Sequence, residues 1–261
     1  MTDPRVTISI EAGVADVRLS RPDKMNALDP AMVQGIIDAI ERLGSEPALR
    51  CVVLSGEGRA FCAGLDMASM ASGGSGNDLD ARSHGPANWM QHLAWGWRAL
   101  PVPVIVAAHG IAFGGGLQIL SGADIIFAAP ATRLSVMEIK WGIVPDMAGY
   151  ALWRGRVRDD ILRELSYTAR EFTAEEGQRH GFVTHIADDP HTAAMDLAVK
   201  IAARNPHAVR AAKRLANLAA DGDAPAILLA ESREQAALLR SPNQIEAVRA
   251  NIEKRMADFA D

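Results

Sequence analysis

The chain has 261 residues, of which 49% are hydrophobic and 23% charged, and its formal net charge is −5. These values are typical of a globular protein with a sizeable core, and the sequence has no basic run or aromatic-interleaved basic patch to support nucleic-acid binding. Cys51 and Cys62 lack the spacing of zinc ligands, which favours free thiols in a reducing compartment. No signal peptide and no apolar run of roughly 18 residues is present, so we expect a cytoplasmic protein with no membrane partner.

The N-terminal third predicts a hairpin, a helix and a buried strand. Val6–Ile10 and Val14–Leu19 alternate apolar and polar residues around Gly13, a pattern typical of a β-hairpin. Asp29 followed by Pro30 is a helix start, and the next residues show a helical apolar period. Arg50–Ser55 then predicts a buried strand.

The middle of the chain carries two glycine turns. The first, Gly56–Asp66, follows the strand at Arg50–Ser55. The sequence predicts a loop of small residues at 71–77 and a helix at Ala87–Leu100. The apolar run Pro103–Ala108 predicts a strand, after which Gly114, Gly115 and Gly116 open a helical segment.

The C-terminal half changes from mixed structure to helices. We predict, in chain order, strands at Ile125–Ala128 and Leu134–Val136, a loop at Glu138–Tyr150, helices at Val157–Ala169 and Thr173–His180, a strand at Phe182–Ile186, and helices at Ala208–Leu218, Ala224–Leu239 and Asn243–Phe259. The repeated strand–helix–strand order predicts a parallel sheet with crossover helices. We therefore expect a core over residues 1–191 and an appended helical region over 192–261.

The two glycine turns are candidates for an anion site. A strand, a glycine turn and a helix start leave backbone N–H groups free, so Ala63–Leu65 and Gly114–Gly116 could each offer one N–H to a single oxygen. That oxygen would belong to a standing phosphate or to a carbonyl that gains charge during a reaction. The alternative is that both turns only pack helix against sheet.

Two carboxylates, Glu138 and Asp146, lie in a loop rich in apolar residues. A carboxylate among apolar neighbours has a raised pKa, which suits proton transfer near neutrality. The alternative is a pair of solvated loop acids. We interpret His109, in an apolar strand, as a core residue whose hydrogen bonds are satisfied.

Taken together, six stretches resemble the crotonase superfamily, which contains enoyl-CoA hydratases and isomerases. They are Arg21–Leu28 (RPDKMNAL), Arg59–Met67 (RAFCAGLDM), Ala112–Leu117 (AFGGGL), Ala123–Phe127 (ADIIF), Glu138–Pro145 (EIKWGIVP) and Thr173–Val183 (TAEEGQRHGFV). The resemblance runs from about Val6 to Phe259. It implies an α/β fold with the repeated ββα spiral core of crotonases and a C-terminal helical region that builds trimers or dimers of trimers.

The resemblance also implies an acyl-CoA substrate and no separate cofactor or metal. Its thioester oxygen would accept hydrogen bonds from the N–H groups of Leu65 and Gly115. The substrate-binding positions that the resemblance assigns are Lys24, Asn26, Ala27, Ala63, Gly64, Asp66, Met67, Gly114, Gln118, Trp141 and Lys254. Lys24 would meet a CoA phosphate, and Lys254 corresponds to a lysine that approaches CoA in this family.

One position departs from the hydratase pattern. Hydratases of the family hold a water between two glutamates, and these positions are Gln118 and Glu138 here. An amide cannot accept or donate a proton as a carboxylate does, so we expect Gln118 to orient the acyl chain or a water. A carboxylate at the Asp146 position resembles dienoyl-CoA isomerases, and Glu138 alone resembles Δ3–Δ2 isomerases. The sequence favours an isomerase that uses Glu138 or Asp146, with an inefficient hydratase, another reaction of the superfamily or a non-catalytic CoA-ester binder as alternatives.

Overall fold

The computed structural model of the chain describes residues 4–66, 68 and 78–261. Met67 and the loop at 71–77 lie outside the described residues. Within them the strands are β1 (Val6–Glu11), β2 (Val14–Leu19), β3 (Cys51–Gly56), β4 (Val104–Ala108), β5 (Ile111–Phe113), β6 (Ile125–Ala128), β7 (Arg133–Ser135), β8 (Phe172–Thr173) and β9 (His185–Ile186). The helices are α1 (Pro30–Gly44), α2 (Trp89–Ala99), α3 (Gly115–Ser121), α4 (Gly149–Trp153), α5 (Asp159–Thr168), α6 (Ala174–His180), α7 (Pro190–Ala202), α8 (Pro206–Asp221), α9 (Ala224–Leu238) and α10 (Pro242–Glu253).

The predicted hairpin and parallel sheet are confirmed. The larger sheet has the order β1-β2-β3-β4-β6-β9, in which β1 pairs antiparallel with β2 and the other neighbours run parallel. A second sheet has the order β5-β7-β8. Strand β5 was not predicted, because its three residues belong to the sequence of the glycine turn. By pairing with β7, it carries the glycine triplet away from the larger sheet.

The central strands are buried on both faces, which explains their uninterrupted apolar sequence. Val52 and Leu54 of β3 face the core formed with α1 and α2. Cys51 and Val53 alternate with them and pack on the opposite face against α7, with its residues Ala194, Ala198 and Ala202. Both cysteines are free and buried. The central strands of the sheet are therefore fixed by packing on both faces, and the first glycine turn follows the end of β3.

Two predicted element ends are wrong for local reasons. The strand predicted at Phe182–Ile186 contains only His185 and Ile186, because the N–H groups of Phe182 and Val183 donate to Gly177 O at the end of α6. The last helix was predicted to continue to Phe259. It ends at Glu253, where Lys254 adopts a left-handed conformation with φ 52°.

The C-terminal helices differ in how they attach to the sheet. Helix α7 covers one face of the sheet, so the first of these helices is packed into the core. Helix α8 is held by the buried Lys213 ammonium, which donates to Asp124 Oδ2 at 2.9 Å and to Val102 O at 2.8 Å. Helix α9 has no buried residue. The division at residue 192 stays a prediction. In the described part of the chain, every helix is too short or too polar to cross a bilayer.

Candidate active site

The two glycine turns lie against each other. The backbone of Cys62 pairs with that of Ala112, and the Phe113 N–H donates to Cys62 O at 3.1 Å. Gly64 has φ +86°, and a Cβ there would lie 2.6 Å from Phe113 O and 3.5 Å from Gly115 N. Only glycine allows this approach, because any side chain at this position would push the turns apart.

Each turn leaves one N–H group free at the contact. Gly64 N donates weakly to Cys62 Sγ at 3.5 Å, and Gly114 N donates to Ser135 O at 3.0 Å. Among the described residues, no acceptor meets the N–H of Leu65 or of Gly115. Gly115 is the first residue of α3, so no carbonyl of that helix can meet its N–H. Both residues line a cavity of about 220 Å³. Two free donors on one small cavity can bind an oxygen that gains negative charge.

Glu138 brings a carboxylate to the same cavity. It begins the 3₁₀ turn Glu138–Trp141 after β7 and is only 5% exposed. Its Oε1 accepts a hydrogen bond from Gln118 Nε2 at 2.6 Å, whereas its Oε2 is buried and has no hydrogen-bond partner in the described part of the chain. Burial raises the pKa of Glu138, and the nearby charge of Asp146 adds to this, while the Gln118 hydrogen bond opposes it. The interpretation of Glu138 as a solvated loop acid is therefore wrong.

Gln118 does not face the cavity, which corrects its expected role in orienting the acyl chain or a water. It is 1% exposed, and its Oε1 accepts from Met147 N at 2.8 Å and from Gly149 N at 3.0 Å. Its Nε2 donates to Glu138. Both ends of the amide are thus used inside the protein, behind the carboxylate.

Asp146 differs from Glu138 in its surroundings. It is exposed and does not line the cavity, although the protein around its carboxyl group raises its pKa by desolvation. Of the two acids that the sequence could not rank, Glu138 is the one at the cavity wall.

The loop that precedes α1 runs beside the first glycine turn. Ala63 N donates to Met25 O at 2.9 Å, and Leu28 N donates to Gly64 O at 2.8 Å. Asn26 was predicted to bind substrate, but its side chain is fully buried and bonds to backbone groups, including Arg21 N at 2.7 Å and Ala60 O at 2.8 Å. These hydrogen bonds hold the loop from inside, and Asn26 adopts a left-handed backbone conformation with φ 54°. Ala27 is also buried and Lys24 is exposed.

The remaining predicted positions divide between the cavity and its surroundings. Ala63, Gly64, Gly114 and the half-exposed Trp141 line the cavity. The Asp66 carboxylate pairs with Arg21 at 2.7 Å. Lys254 is exposed at the end of α10 and does not line the cavity.

Sequence reasoning missed four contributors. Phe113, Met137 and Ile143 line the cavity, and Arg21 joins the loop to Asp66 and to Ala27 O. Three of these residues are close in sequence to predicted site residues: Phe113 precedes Gly114, Met137 precedes Glu138, and Ile143 is two residues after Trp141. This closeness in sequence was the signal that could have identified them. Nothing in the sequence marked Arg21 as a partner of Asp66, 45 residues away.

A larger, more open depression of about 670 Å³ lies at the carboxyl ends of the parallel strands. Several of its polar groups are bonded within the protein. His109 Nε2 lies 2.9 Å from Gly58 O, and both Arg18 and His191 pair with Asp16. The ring of His109 thus has a hydrogen-bond partner, as expected. His109 is only half-buried after the end of β4, so it is not a core residue. The smaller cavity, with its free donors and free carboxylate oxygen, is the better candidate for chemistry.

Comparisons with known proteins cover nearly the whole chain. A family model described as enoyl-CoA hydratase/isomerase matches residues 9–261. An enoyl-CoA hydratase of Mycobacterium tuberculosis is 34% identical over 201 residues, which are 76% of this chain and 74% of the relative. A mitochondrial Delta(3,5)-Delta(2,4)-dienoyl-CoA isomerase of Dictyostelium discoideum is 27% identical over 256 residues, which are 94% of this chain and 87% of the relative. The crystal structure of a putative enoyl-CoA hydratase from Streptomyces coelicolor A3(2) superposes with a TM-score of 0.89 at 29% identity, covering 98% of this chain and 94% of that one.

Proposed function

Because the chain belongs to the enoyl-CoA hydratase/isomerase family, the crotonase superfamily, we propose that it shifts a double bond along an unsaturated acyl-CoA. One observation carries the proposal. Glu138, whose buried Oε2 has no hydrogen-bond partner among the described residues, lines the same cavity as Leu65 and Gly115 with their free N–H groups. A base and an oxyanion site on one cavity are what proton abstraction next to a thioester carbonyl requires.

The reaction proceeds in two proton transfers. The thioester oxygen accepts hydrogen bonds from Leu65 N and Gly115 N, which makes the substrate C–H more acidic. Glu138 Oε2 takes the proton, the C–H electron pair moves into the conjugated system, and a dienolate forms with its charge on the thioester oxygen. The protonated Glu138 then returns the proton to a different carbon, so the double bond has moved. The Glu138 carboxylate is regenerated, and the reaction consumes no cofactor.

The amide at residue 118 favours this reaction over hydration. Hydration in this family uses two carboxylates on one water, whereas Gln118 is neutral and both ends of its amide are bonded within the protein. The relatives include a protein named as a hydratase and one named as an isomerase, so their names do not distinguish the two activities. An inefficient hydratase is the second candidate, and a CoA-ester binder without turnover is the third.

The test separates the three candidates. Purified enzyme is given 3-enoyl-CoA and 2-enoyl-CoA thioesters of several chain lengths in D₂O. Isomerisation moves the double bond into or out of conjugation, which changes the ultraviolet absorbance, and NMR follows deuterium entering the acyl chain. Hydration adds a water, which mass spectrometry detects. A CoA-ester binder without turnover gives a calorimetric binding isotherm and no product from any ester.

Two matched variants assign the base. Glu138→Gln keeps the size and a hydrogen-bonding group but cannot carry the proton, so we expect activity to fall by on the order of 10²–10⁴. Asp146→Asn is the control for charge near the site, and we expect a much smaller loss because Asp146 does not line the cavity. Full activity in Glu138→Gln, or a larger loss in Asp146→Asn, contradicts the assignment. Faster water addition than double-bond movement establishes the hydratase.

Substrate binding and assembly complete the proposal. We propose that the CoA lies along the exposed Lys24, the backbone at the buried Ala27 and the turn Ala63–Leu65, with Lys254 approaching it in the assembled protein. Helix α9 buries none of its residues, and its Leu228 and Leu229 are 61% and 51% exposed. These apolar residues are exposed in the single chain, and contact with a second copy of the chain would bury them. We therefore propose a homotrimer or a dimer of trimers.

A further inference from the structure

Gln118 connects the catalytic carboxylate to a neighbouring loop. Its amide oxygen holds Met147 N at 2.8 Å and Gly149 N at 3.0 Å, and its amide nitrogen holds Glu138 Oε1 at 2.6 Å. We propose that Gln118 is a positioning residue that holds one oxygen of Glu138 by a hydrogen bond, leaves the other oxygen for the substrate, and favours the ionised carboxylate as its acceptor. The proposal rests on the proposed function only in taking Glu138 as the base.

The orientation of the amide follows from its partners. A backbone N–H can donate only to the amide oxygen, so two N–H donors on one side fix Oε1 there. The NH₂ group must then face Glu138 and needs an acceptor, which an ionised carboxylate provides. A reversed amide would set its NH₂ against two N–H donors and its oxygen against a carboxylate oxygen. The carboxylate therefore has one held oxygen and one free oxygen, and only the free one can reach the substrate.

The same contacts extend to the oxyanion turn. A Cβ at Gly149 would lie 2.8 Å from Gln118 Oε1, so the loop backbone can approach the amide only because residue 149 is glycine. A Cβ at Gly115 would lie 2.9 Å from Met147 Sδ. Met147 thus bonds to Gln118 through its backbone and packs on the oxyanion donor through its side chain. The base, the loop and the oxyanion donor are held in one arrangement by Gln118.

Gln118 is the side chain whose hydrogen bond favours ionisation of Glu138, beside the backbone N–H groups of Glu138 and Met137. Asp146 is the described titratable residue whose charge acts on Glu138, and it disfavours a second negative charge. Lys140, on the same turn, lies over the Trp141 ring. Helix α5 packs against this turn, and its charged residues are paired elsewhere: Asp159 with Arg163, Asp160 with Arg158 and Glu164 with Arg170. Loss of the Gln118 donor should therefore make Glu138 harder to ionise.

Two substitutions separate positioning from packing. Gln118→Met keeps an unbranched side chain of similar size but removes all three hydrogen bonds. Gln118→Glu keeps an acceptor for Met147 N and Gly149 N but places a second carboxyl group against Glu138, and the two cannot both ionise easily. We expect the acid limb of the kcat/KM profile to move up by about one pH unit in both variants, or about 1.4 kcal/mol. KM should change little, because Gln118 does not line the cavity.

The readout must also work without turnover. Infrared difference spectra recorded across pH follow the carboxyl band of Glu138, which is identified by its loss in Glu138→Gln. An upward shift of this titration in Gln118→Met, which adds no carboxyl group, with folding preserved in circular dichroism, supports the proposal even if no acyl-CoA is converted. Inactive wild-type enzyme overturns the proposed function alone. An unchanged Glu138 titration in both folded variants, or a uniform activity loss at all pH values, overturns the positioning role.

Discussion

The close contact between the two glycine turns predicts a large catalytic loss from a single methyl group. Gly64→Ala places a Cβ 2.6 Å from Phe113 O, in a residue with φ +86°. Gly155→Ala is the matched control, because Gly155 has φ +75° and a Cβ there would meet no other atom within 4 Å among the described residues. Both variants bear the left-handed strain of an L-residue, about 1–2 kcal/mol. Only Gly64→Ala also pushes one oxyanion turn away from the other.

The size of the effect follows from the distances. To relieve the contact, the turns must separate by about 0.4 to 0.8 Å, the difference between 2.6 Å and the 3.0 to 3.4 Å of tight contact. The N–H groups of Leu65 and Gly115 lie on opposite sides of that separation, so only one of them would still reach the thioester oxygen of the proposed substrate. Loss of one oxyanion donor typically lowers kcat by on the order of 10²–10³, or about 3–4 kcal/mol. Gly155→Ala should change kcat less than about twofold, because a substitution outside the site leaves the donors in place.

Steady-state isomerisation and thermal unfolding measure the two effects separately. We expect both variants to unfold at lower temperature, with Gly64→Ala lower than Gly155→Ala, and only Gly64→Ala to lose kcat. A Gly64→Ala enzyme that keeps kcat within about threefold of the wild type would refute the reasoning, because the donors would then not depend on this contact. Equal kcat losses in the two variants would trace the effect to backbone strain and not to the approach of the turns.

Three further predictions concern the carboxylate, the cavity wall and the assembly. Burial raises the pKa of Glu138 above its ordinary 4.5, so the folded state loses stability as pH rises through the raised pKa and the buried carboxyl group ionises. Glu138→Gln should therefore increase the melting temperature at about pH 8 and change it little at about pH 4. Equal shifts of the melting temperature at both pH values contradict this. Trp141→Ala removes a half-exposed side chain from the cavity wall, at a cost within about 1 kcal/mol in the free energy of unfolding. We expect it to raise kcat/KM for bulky relative to short acyl-CoAs. An equal loss of kcat/KM for all acyl-CoAs contradicts the role of Trp141 as a wall. Leu228→Glu should lower the molar mass in sedimentation experiments, and an unchanged mass shows that this face does not form the contact.

The sequence predicted best where the physical cause is local. The cap formed by Asp29 and Pro30 is observed, with Asp29 Oδ1 accepting from Met32 N at 2.7 Å, because capping depends on residues within one turn. The hairpin around Gly13 also depends only on its neighbours. The strand at Phe182 was wrong because its N–H group bonds to the end of α6 instead, and such competition is not visible in a periodicity.

The chemistry of the site was only partly local. The sequence by itself determined the family, the turn residues and the presence of an amide at position 118, because residue types and motif spacing are written in the chain. It could not rank Glu138 against Asp146, since both lie in one apolar loop and burial depends on what packs over each carboxyl group. The tertiary structure distinguishes the two carboxylates by their placement: β5 and β7 lie side by side, which brings Glu138 to the glycine turn and leaves Asp146 exposed. It also directed the Gln118 side chain away from the cavity, because the N–H groups of Met147 and Gly149, about 30 residues farther along, had to find an acceptor.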